Sequence, residues 1–336
     1  MAGAAALEHC ATLMRRFGLV LGAGGGTGRA FHAGVLAALH EVACVDARDA
    51  ALIVGTSAGS LDGAFLRAGV APLDMFARVT ERSVSTAAEA LYERQPLWVD
   101  PDEEGVAGRW RPASAARLRA AARRPWQVTP HTMGTLFAAA MREGRRPTRL
   151  IDQMVTALHP HAWPSRRFWV CTVRLDDGRR VVFGRDEGAT ATVGQAVAAS
   201  CAIPGYFAPV VIGGERYVDG GAHSPSNLDL VARLGLDLVI VSSPMTASPR
   251  ALRLTPDGVF RAACRFLLRR ELAALRRHGV RVALFEPSAE DLVVMGSVAD
   301  SMSAHKPARV ATQAYGTTAR SLRAGPLSDV LQTALA

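Results

Sequence analysis

The sequence predicts an α/β fold with a largely parallel central sheet. A buried apolar strand, a glycine-containing turn and a helix follow one another twice in the first 70 residues. The first unit joins the strand Phe17–Leu21 to a helix over Ala30–Val42, and the second joins Leu52–Val54 to a helix over Ser60–Ala68. Consecutive units of this kind place their strands side by side in the same direction. With 49% hydrophobic and 21% charged residues, the 336-residue chain is able to bury a large core.

The later elements continue the same pattern. Apolar runs bounded by turn residues predict strands, and apolar periodicity near 3.6 predicts helices. The predicted strands are Phe168–Arg174, Val181–Phe183, a short hairpin that ends at Asp219, Leu238–Ser243 and Arg281–Phe285. The predicted helices are Val193–Ala199, Asn227–Leu234, 256–278 and 305–323.

The second turn carries a serine between two glycines, Gly55-Thr56-Ser57-Ala58-Gly59. A strand, a tight turn with a serine and then a helix form the arrangement that a nucleophile elbow requires. The glycines remove side chains that would clash at the turn. The alternative is that Ser57 only caps the helix.

The first turn contains Gly24, Gly25, Gly26 and Gly28. A dinucleotide-binding loop reads Gly-x-Gly-x-x-Gly, and neither possible frame here has the last glycine. We therefore favour an oxyanion hole, in which backbone N–H groups of this loop face the serine; the alternative is a flexible turn. One such donor contributes about 3 kcal/mol to an acyl-transfer transition state.

Asp219 is the candidate base. It ends a predicted strand and precedes Gly220 and Gly221, so its carboxylate stands at an open turn. The alternative is an Asp-Gly-Gly turn that only bonds its own backbone. No surrounding loop would hold His223, His278 or His305 at the serine, so a two-residue Ser57–Asp219 dyad is the simpler interpretation.

The chain is basic, with a formal net charge of +9. Zinc-finger spacing, aromatic RNA-binding patterns and a long basic tail are absent from the sequence, which argues against a nucleic-acid partner. Positive charge also attracts anionic membranes. A helix over Ala113–Arg124, flanked by Trp110 and Trp126, indicates possible peripheral contact with an anionic membrane; the alternative is a solvated helix with buried tryptophans.

We expect a reduced, cytoplasmic protein. The five scattered cysteines show no metal or disulfide spacing. No apolar run is long enough for a transmembrane helix, and the run after Arg16 is too short for a signal peptide. We expect no cofactor and no metal.

The predicted organisation is a leader over 1–16 followed by a single α/β domain over 17–336. Residues 74–165 differ from the rest because helical periodicity combines there with dense charge and frequent proline. An acidic loop covers Asp100–Glu104, and Arg109-Trp110-Arg111 follows. We expect this region to be a helical, lid-like insertion.

Four segments together resemble the patatin-like phospholipase family. They are, in order, Gly24–Gly28, Gly55–Gly59, Ala199–Pro209 and Asp219–Gly221, within residues 17 to about 225. The resemblance implies a three-layer α/β/α fold and hydrolysis of lipid acyl esters without a metal or a catalytic histidine.

Carried onto this sequence, the resemblance implies that Ser57 is the nucleophile, Asp219 the base, and Gly24, Gly25 and Gly26 the oxyanion hole. The substrate would be a phospholipid or lysophospholipid. The family's loop reads Gly-Gly-Gly-x-Arg/Lys-Gly. In the frame that starts at Gly24, Gly28 and Arg29 occupy the last two positions in the opposite order. In the frame that starts at Ala23, Gly28 is the last glycine, but Ala23 replaces the first glycine and Thr27 the basic residue. This departure supports a second hypothesis, a catalytically weak or inactive lipid-binding or regulatory protein with the same fold.

Overall fold

A computed structural model of the protein describes residues 17–97, 112–302 and 307–324. The predicted leader, the acidic loop, Arg109-Trp110-Arg111 and His305 lie outside the described residues. The strands are β1 (Phe17–Leu21), β2 (Leu52–Thr56), β3 (Arg167–Arg174), β4 (Arg180–Phe183), β5 (Val210–Ile212), β6 (Glu215–Asp219), β7 (Leu238–Ser242) and β8 (Arg281–Phe285).

The described strands form one mostly parallel sheet in the order β5-β6-β3-β2-β1-β7-β8, with β4 also paired to β3. The five strands from β3 to β8 in this order are parallel. Strands β4 and β6 both pair antiparallel with β3, and β5 pairs antiparallel with β6. Leu21 pairs with both Gly55 and Ser242. The carboxyl ends of β1, β2 and β7 therefore meet at one edge, where open α/β sheets bind ligands.

Eleven α-helices are described. They are α1 (Gly25–Ala43), α2 (Ala58–Arg67), α3 (Pro72–Val79), α4 (Thr86–Tyr92), α5 (Ala115–Arg123), α6 (Pro130–Ala140), α7 (Arg149–Leu158), α8 (Val193–Ser200), α9 (Pro256–Arg277), α10 (Ala289–Met295) and α11 (Pro307–Ala324). The prediction that α1 begins at Ala30 is wrong, because residues of the glycine segment, Gly24–Gly28, form the first turn of this helix from Gly25 onward.

The helices lie on both faces of the sheet, which gives the three-layer α/β/α architecture. Helices α1, α2, α7, α8 and α11 share one apolar core with alternate sheet residues such as Leu19 and Ile53. Helix α9 packs on the other face, where Leu268 and Leu272 meet Val20. The predicted helix Asn227–Leu234 is a single 3-10 turn, Leu228–Val231, in that second layer.

The region between α2 and β3 has two structural roles. Met75 of α3 and Val155 of α7 belong to the core beneath the sheet. Helix α6 instead lies at the carboxyl edge of the sheet, against the turn Gly220–Ala222. Gly134 permits this approach, because a Cβ atom there would overlap the carbonyl oxygen of Ala222.

Candidate active site

Ser57 lies in a strained turn between β2 and α2. Its φ is 52° and its ψ is −121°, a backbone conformation that non-glycine residues rarely adopt. Gly59 allows α2 to start directly beside β1, since a Cβ atom there would overlap the carbonyl oxygen of Leu21. The Gly59 N–H donates to the carbonyl oxygen of Gly22, 3.2 Å away. The turn is thus tied to the first glycine segment.

Two buried polar side chains hold this turn. The Ser57 N–H donates to Ser200 Oγ over 2.9 Å, and Ser200 Oγ donates to the Cys171 carbonyl over 2.7 Å. Asn227 Nδ2 donates to Thr56 Oγ1 over 3.1 Å. Sequence reasoning missed Ser200 and Asn227 as individual residues, because nothing in their spacing relates them to residues more than 140 positions away.

Asp219 ends β6 beside Ser57. Its Oδ1 accepts the Gly221 N–H over 2.7 Å. Burial raises the pKa of Asp219 to about 6, although the neighbouring Ser57 side chain and the Gly221 N–H act in the opposite direction. A carboxylate with such a pKa is ionised at pH 7 and is a stronger proton acceptor than an exposed aspartate.

The glycine segment forms the N-terminus of α1. Gly28 N–H donates to the Gly24 carbonyl over 2.8 Å, so the preceding N–H groups have no partner within the helix. Gly24, the residue before the helix, provides no side-chain cap, and Gly25 has a φ of 60°. Gly24 and Gly25 line the same cleft as Ser57 and Asp219. Gly26 is not among the lining residues and lies near the backbone of Ser301.

His32 lies behind the glycine segment with a side chain that is fully buried. Burial lowers its pKa, so the ring is neutral at pH 7. Nε2–H donates to the Gly22 carbonyl over 2.9 Å, and Nδ1 accepts from Ser242 Oγ over 2.7 Å. Since Gly22 also accepts from Gly59, this histidine connects the ends of β1 and β7 with the serine turn.

The side chain of Arg29 points away from the cleft. Its Nε donates to Asp62 Oδ1 of α2 over 2.9 Å, and its guanidinium lies 5.3 Å from the Phe65 ring centre. Arg29 therefore joins α1 to α2.

Ser57 and Asp219 lie in a largely apolar cleft of about 1060 Å³. Met133 and Phe137 of α6 and Phe260 of α9 are among its apolar lining residues. Ser57 and Asp219 are only 3% and 5% exposed. The nucleophile and carboxylate candidates therefore face a space that favours apolar ligands.

His223 and His278, which the sequence offers as alternative bases, do not form a hydrogen bond with Ser57. The His223 ring lines the cleft but stacks on His131, with ring centres 4.9 Å apart. Its pKa is lowered to about 4, first by burial and then by Arg180 and His131. His278 ends α9 and its Nδ1 donates to the Ala274 carbonyl. Among the described residues, no hydrogen bond joins a histidine to Ser57.

The described part of the chain lacks both a metal-binding cluster and a membrane-spanning helix. Residues 17–97, 112–302 and 307–324 contain no cluster of three or more His, Cys, Asp or Glu side chains arranged for a metal ion. None of the helices in this part of the chain combines the length and apolar character needed to cross a bilayer.

Residues 19–232 match the Patatin family, described as patatin-like phospholipase. Solved structures are also similar to this chain. VipD from Legionella pneumophila has a TM-score of 0.43 and 12% identity, over 95% of this chain and 67% of VipD. The type III effector protein ExoU has a TM-score of 0.37 and 17% identity, over 96% of this chain and 54% of ExoU. The chain thus spans about half the length of ExoU.

Proposed function

The chain belongs to the patatin-like phospholipase family, and from this premise we propose that it hydrolyses phospholipid or lysophospholipid esters through a Ser57–Asp219 dyad. The main support is that the Ser57 and Asp219 side chains are neighbours at the base of a large apolar cleft. The apolar cleft suits an acyl chain, and the buried carboxylate suits a base that needs no histidine.

The proposed reaction has two steps. Asp219 accepts the Ser57 hydroxyl proton while Oγ attacks the ester carbonyl carbon, and the resulting oxyanion binds N–H groups at Gly24 and Gly25, which line the cleft. The ester C–O bond then breaks, Asp219 protonates the leaving alcohol, and the acyl group remains on Ser57. A water molecule gives a proton to Asp219 and attacks the acyl-serine. Asp219 returns the proton to Ser57 Oγ, and the fatty acid leaves.

The proposal also covers the domain organisation. We treat residues 17–336 as a single catalytic domain and the helical region at about 74–165 as its lid-like insertion. The position of α6 on the turn after Asp219 supports a covering role for this part of the insertion. Met75 of α3 and Val155 of α7 lie in the core beneath the sheet, which supports a stabilising role for the two ends of the insertion.

The second candidate is a lipid-binding or regulatory protein that does not hydrolyse lipid. The exchanged order of Gly28 and Arg29 in the glycine segment favours it. The Arg29 side chain binds Asp62 outside the cleft, so neither candidate function uses this side chain in the cleft.

A fluorophosphonate probe separates the two candidates. An activated serine attacks the phosphorus atom, whereas an unactivated serine does not react. We expect stoichiometric labelling of the purified protein, with the label located on Ser57 by peptide mass spectrometry. Protein that releases fatty acid from phospholipid vesicles and is labelled at Ser57 supports the hydrolase. A folded protein that binds lipid but stays unlabelled supports the second candidate.

The pH dependence of hydrolysis should report on Asp219. Only the ionised carboxylate accepts the serine proton, and its pKa is raised to about 6. Activity on a soluble short-chain ester should therefore be low near about pH 5, rise with a midpoint near pH 6, and stay level to about pH 8. The kcat/KM profile of the free enzyme is the measurement. A midpoint near about pH 4, typical of an exposed aspartate, would contradict the buried base.

A further inference from the structure

Exposed apolar side chains border the mouth of the cleft on two sides. Met133 and Phe137 of α6 are 58% and 67% exposed, and Phe260 and Phe266 of α9 are 44% and 55% exposed. All four also line the cleft. Large apolar side chains that are both exposed and grouped around one opening mark an interaction surface.

Trp126 extends this surface beyond the cleft. It lies in the 3-10 turn Pro125–Gln127, shortly before Val128 of the cleft wall, and its side chain is 76% exposed. By contrast, Trp169 is buried and Trp163 donates its indole N–H to the Ala191 carbonyl. A tryptophan exposed beside apolar residues is suited to the boundary between lipid headgroups and acyl chains.

The charges beside Trp126 and Phe266 are positive. Arg124 is exposed next to Trp126, and the Arg270 guanidinium lies 5.9 Å from the Phe266 ring centre. The sequence has no acidic residue from Val106 to Met141.

The two acidic residues of α9 are engaged elsewhere. Asp257 accepts from Arg261, and Glu271 is buried and accepts from Ser226 and Leu228. The charge beside Trp126 and Phe266 therefore complements an anionic surface, whereas the exposed Asp300 lies between the cleft-lining residues Ala299 and Ser301.

These residues define one feature, the mouth surface. The mouth surface consists of Arg124, Trp126, Met133, Phe137, Phe260, Phe266 and Arg270. We propose that it docks on a lipid bilayer that contains anionic lipid, with the apolar side chains among the acyl chains and the two arginines at the headgroups. This inference rests on the proposed function, since docking would let an acyl chain enter the cleft without crossing water.

Co-sedimentation of the full chain with vesicles tests the proposal. One set of vesicles is phosphatidylcholine alone, and the other contains about 30% phosphatidylglycerol. We expect at least tenfold tighter binding to the anionic vesicles and a marked loss of binding at about 0.5 M salt. The double variant R124E/R270E, which reverses one charge on each side of the mouth, should weaken anionic binding at least tenfold. W126S should weaken binding to both kinds of vesicle.

R94E/R149E is the matched control. It makes the same change in net charge at two exposed arginines that do not line the cleft, and it should bind anionic vesicles within about twofold of the unaltered protein. None of these variants should change hydrolysis of a soluble short-chain ester. Equal loss in the two double variants, or unchanged binding in R124E/R270E, would overturn the proposal. So would a dimer in sedimentation velocity, without vesicles, that W126S dissociates.

The same assay separates this inference from the proposed function. Ser57→Ala should bind anionic vesicles as tightly as the unaltered protein, because Ser57 lies at the base of the cleft and outside the mouth surface. If the unaltered protein binds through the mouth surface but releases no fatty acid, docking stands and the hydrolase proposal fails. If it releases fatty acid while charge reversal leaves binding unchanged, the hydrolase stands and docking fails.

Discussion

Ser57→Ala is expected to abolish hydrolysis of a chromogenic long-chain ester, with a loss of at least about 1000-fold. Alanine removes the Oγ atom that would attack the carbonyl carbon, and no neighbouring group replaces it in the proposed mechanism. The Cβ atom remains, so the turn keeps the same steric demand at φ 52°. The assay measures chromophore release, and circular dichroism measures the melting temperature, which should change little.

Ser243→Ala is the matched control for this variant. Ser243 is also buried, follows β7 at the same edge of the sheet, and its Oγ has no hydrogen-bond partner within residues 17–97, 112–302 and 307–324. Removing that oxygen should leave activity within about twofold and should not lower stability. Full activity of Ser57→Ala would eliminate the proposed mechanism, whereas loss in both variants would point to general damage at this edge.

The serine turn was predictable because local sequence determines it. An apolar strand, two small glycines and a following helix require a sharp reversal at Ser57, and the positive φ agrees with that requirement. The mostly parallel sheet was predictable for a related reason, because each strand–turn–helix unit is contiguous in sequence. Asp219 could be nominated from its position at the end of a strand, but only the folded chain brings it beside Ser57.

The supporting contacts were not predictable. Ser200 and His32 look like ordinary small or polar residues inside helices, and their partners are set by how α8 and α1 pack on the sheet. A glycine such as Gly134 usually lowers helix stability, yet here it allows α6 to contact the turn after Asp219. Such roles depend on distances between elements that are far apart in sequence.

The glycine segment shows where a sequence pattern and the folded structure provide different information. The exchanged order of Gly28 and Arg29 left the position of the basic side chain open. In the structure the helix begins at Gly25, and residue 29 faces α2, where Asp62 accepts its hydrogen bond. Gly24 and Gly25, at the start of this helix, line the cleft. The proposed oxyanion hole therefore depends on backbone N–H groups and not on a basic side chain at residue 29.

Asp219→Asn is expected to lower hydrolysis by at least about 100-fold, in keeping with the loss of a general base. Asparagine has nearly the same shape, and its Oδ1 still accepts the Gly221 N–H. It does not accept the serine proton, so labelling of Ser57 by the fluorophosphonate probe should also become slow. Because burial disfavours the charged carboxylate, the neutral side chain should not reduce the melting temperature.

Histidine variants decide whether Asp219 acts alone. His223→Phe preserves a ring that stacks on His131, and changes at His278 affect the exposed end of α9, so both variants should retain activity. A variant at His305 should behave in the same way. The pKa of His223, lowered to about 4, keeps its ring neutral at pH 7, and its described contacts lead to α6 rather than to Ser57. If His223→Phe loses as much activity as Asp219→Asn at an unchanged melting temperature, a Ser–His–Asp triad replaces the dyad.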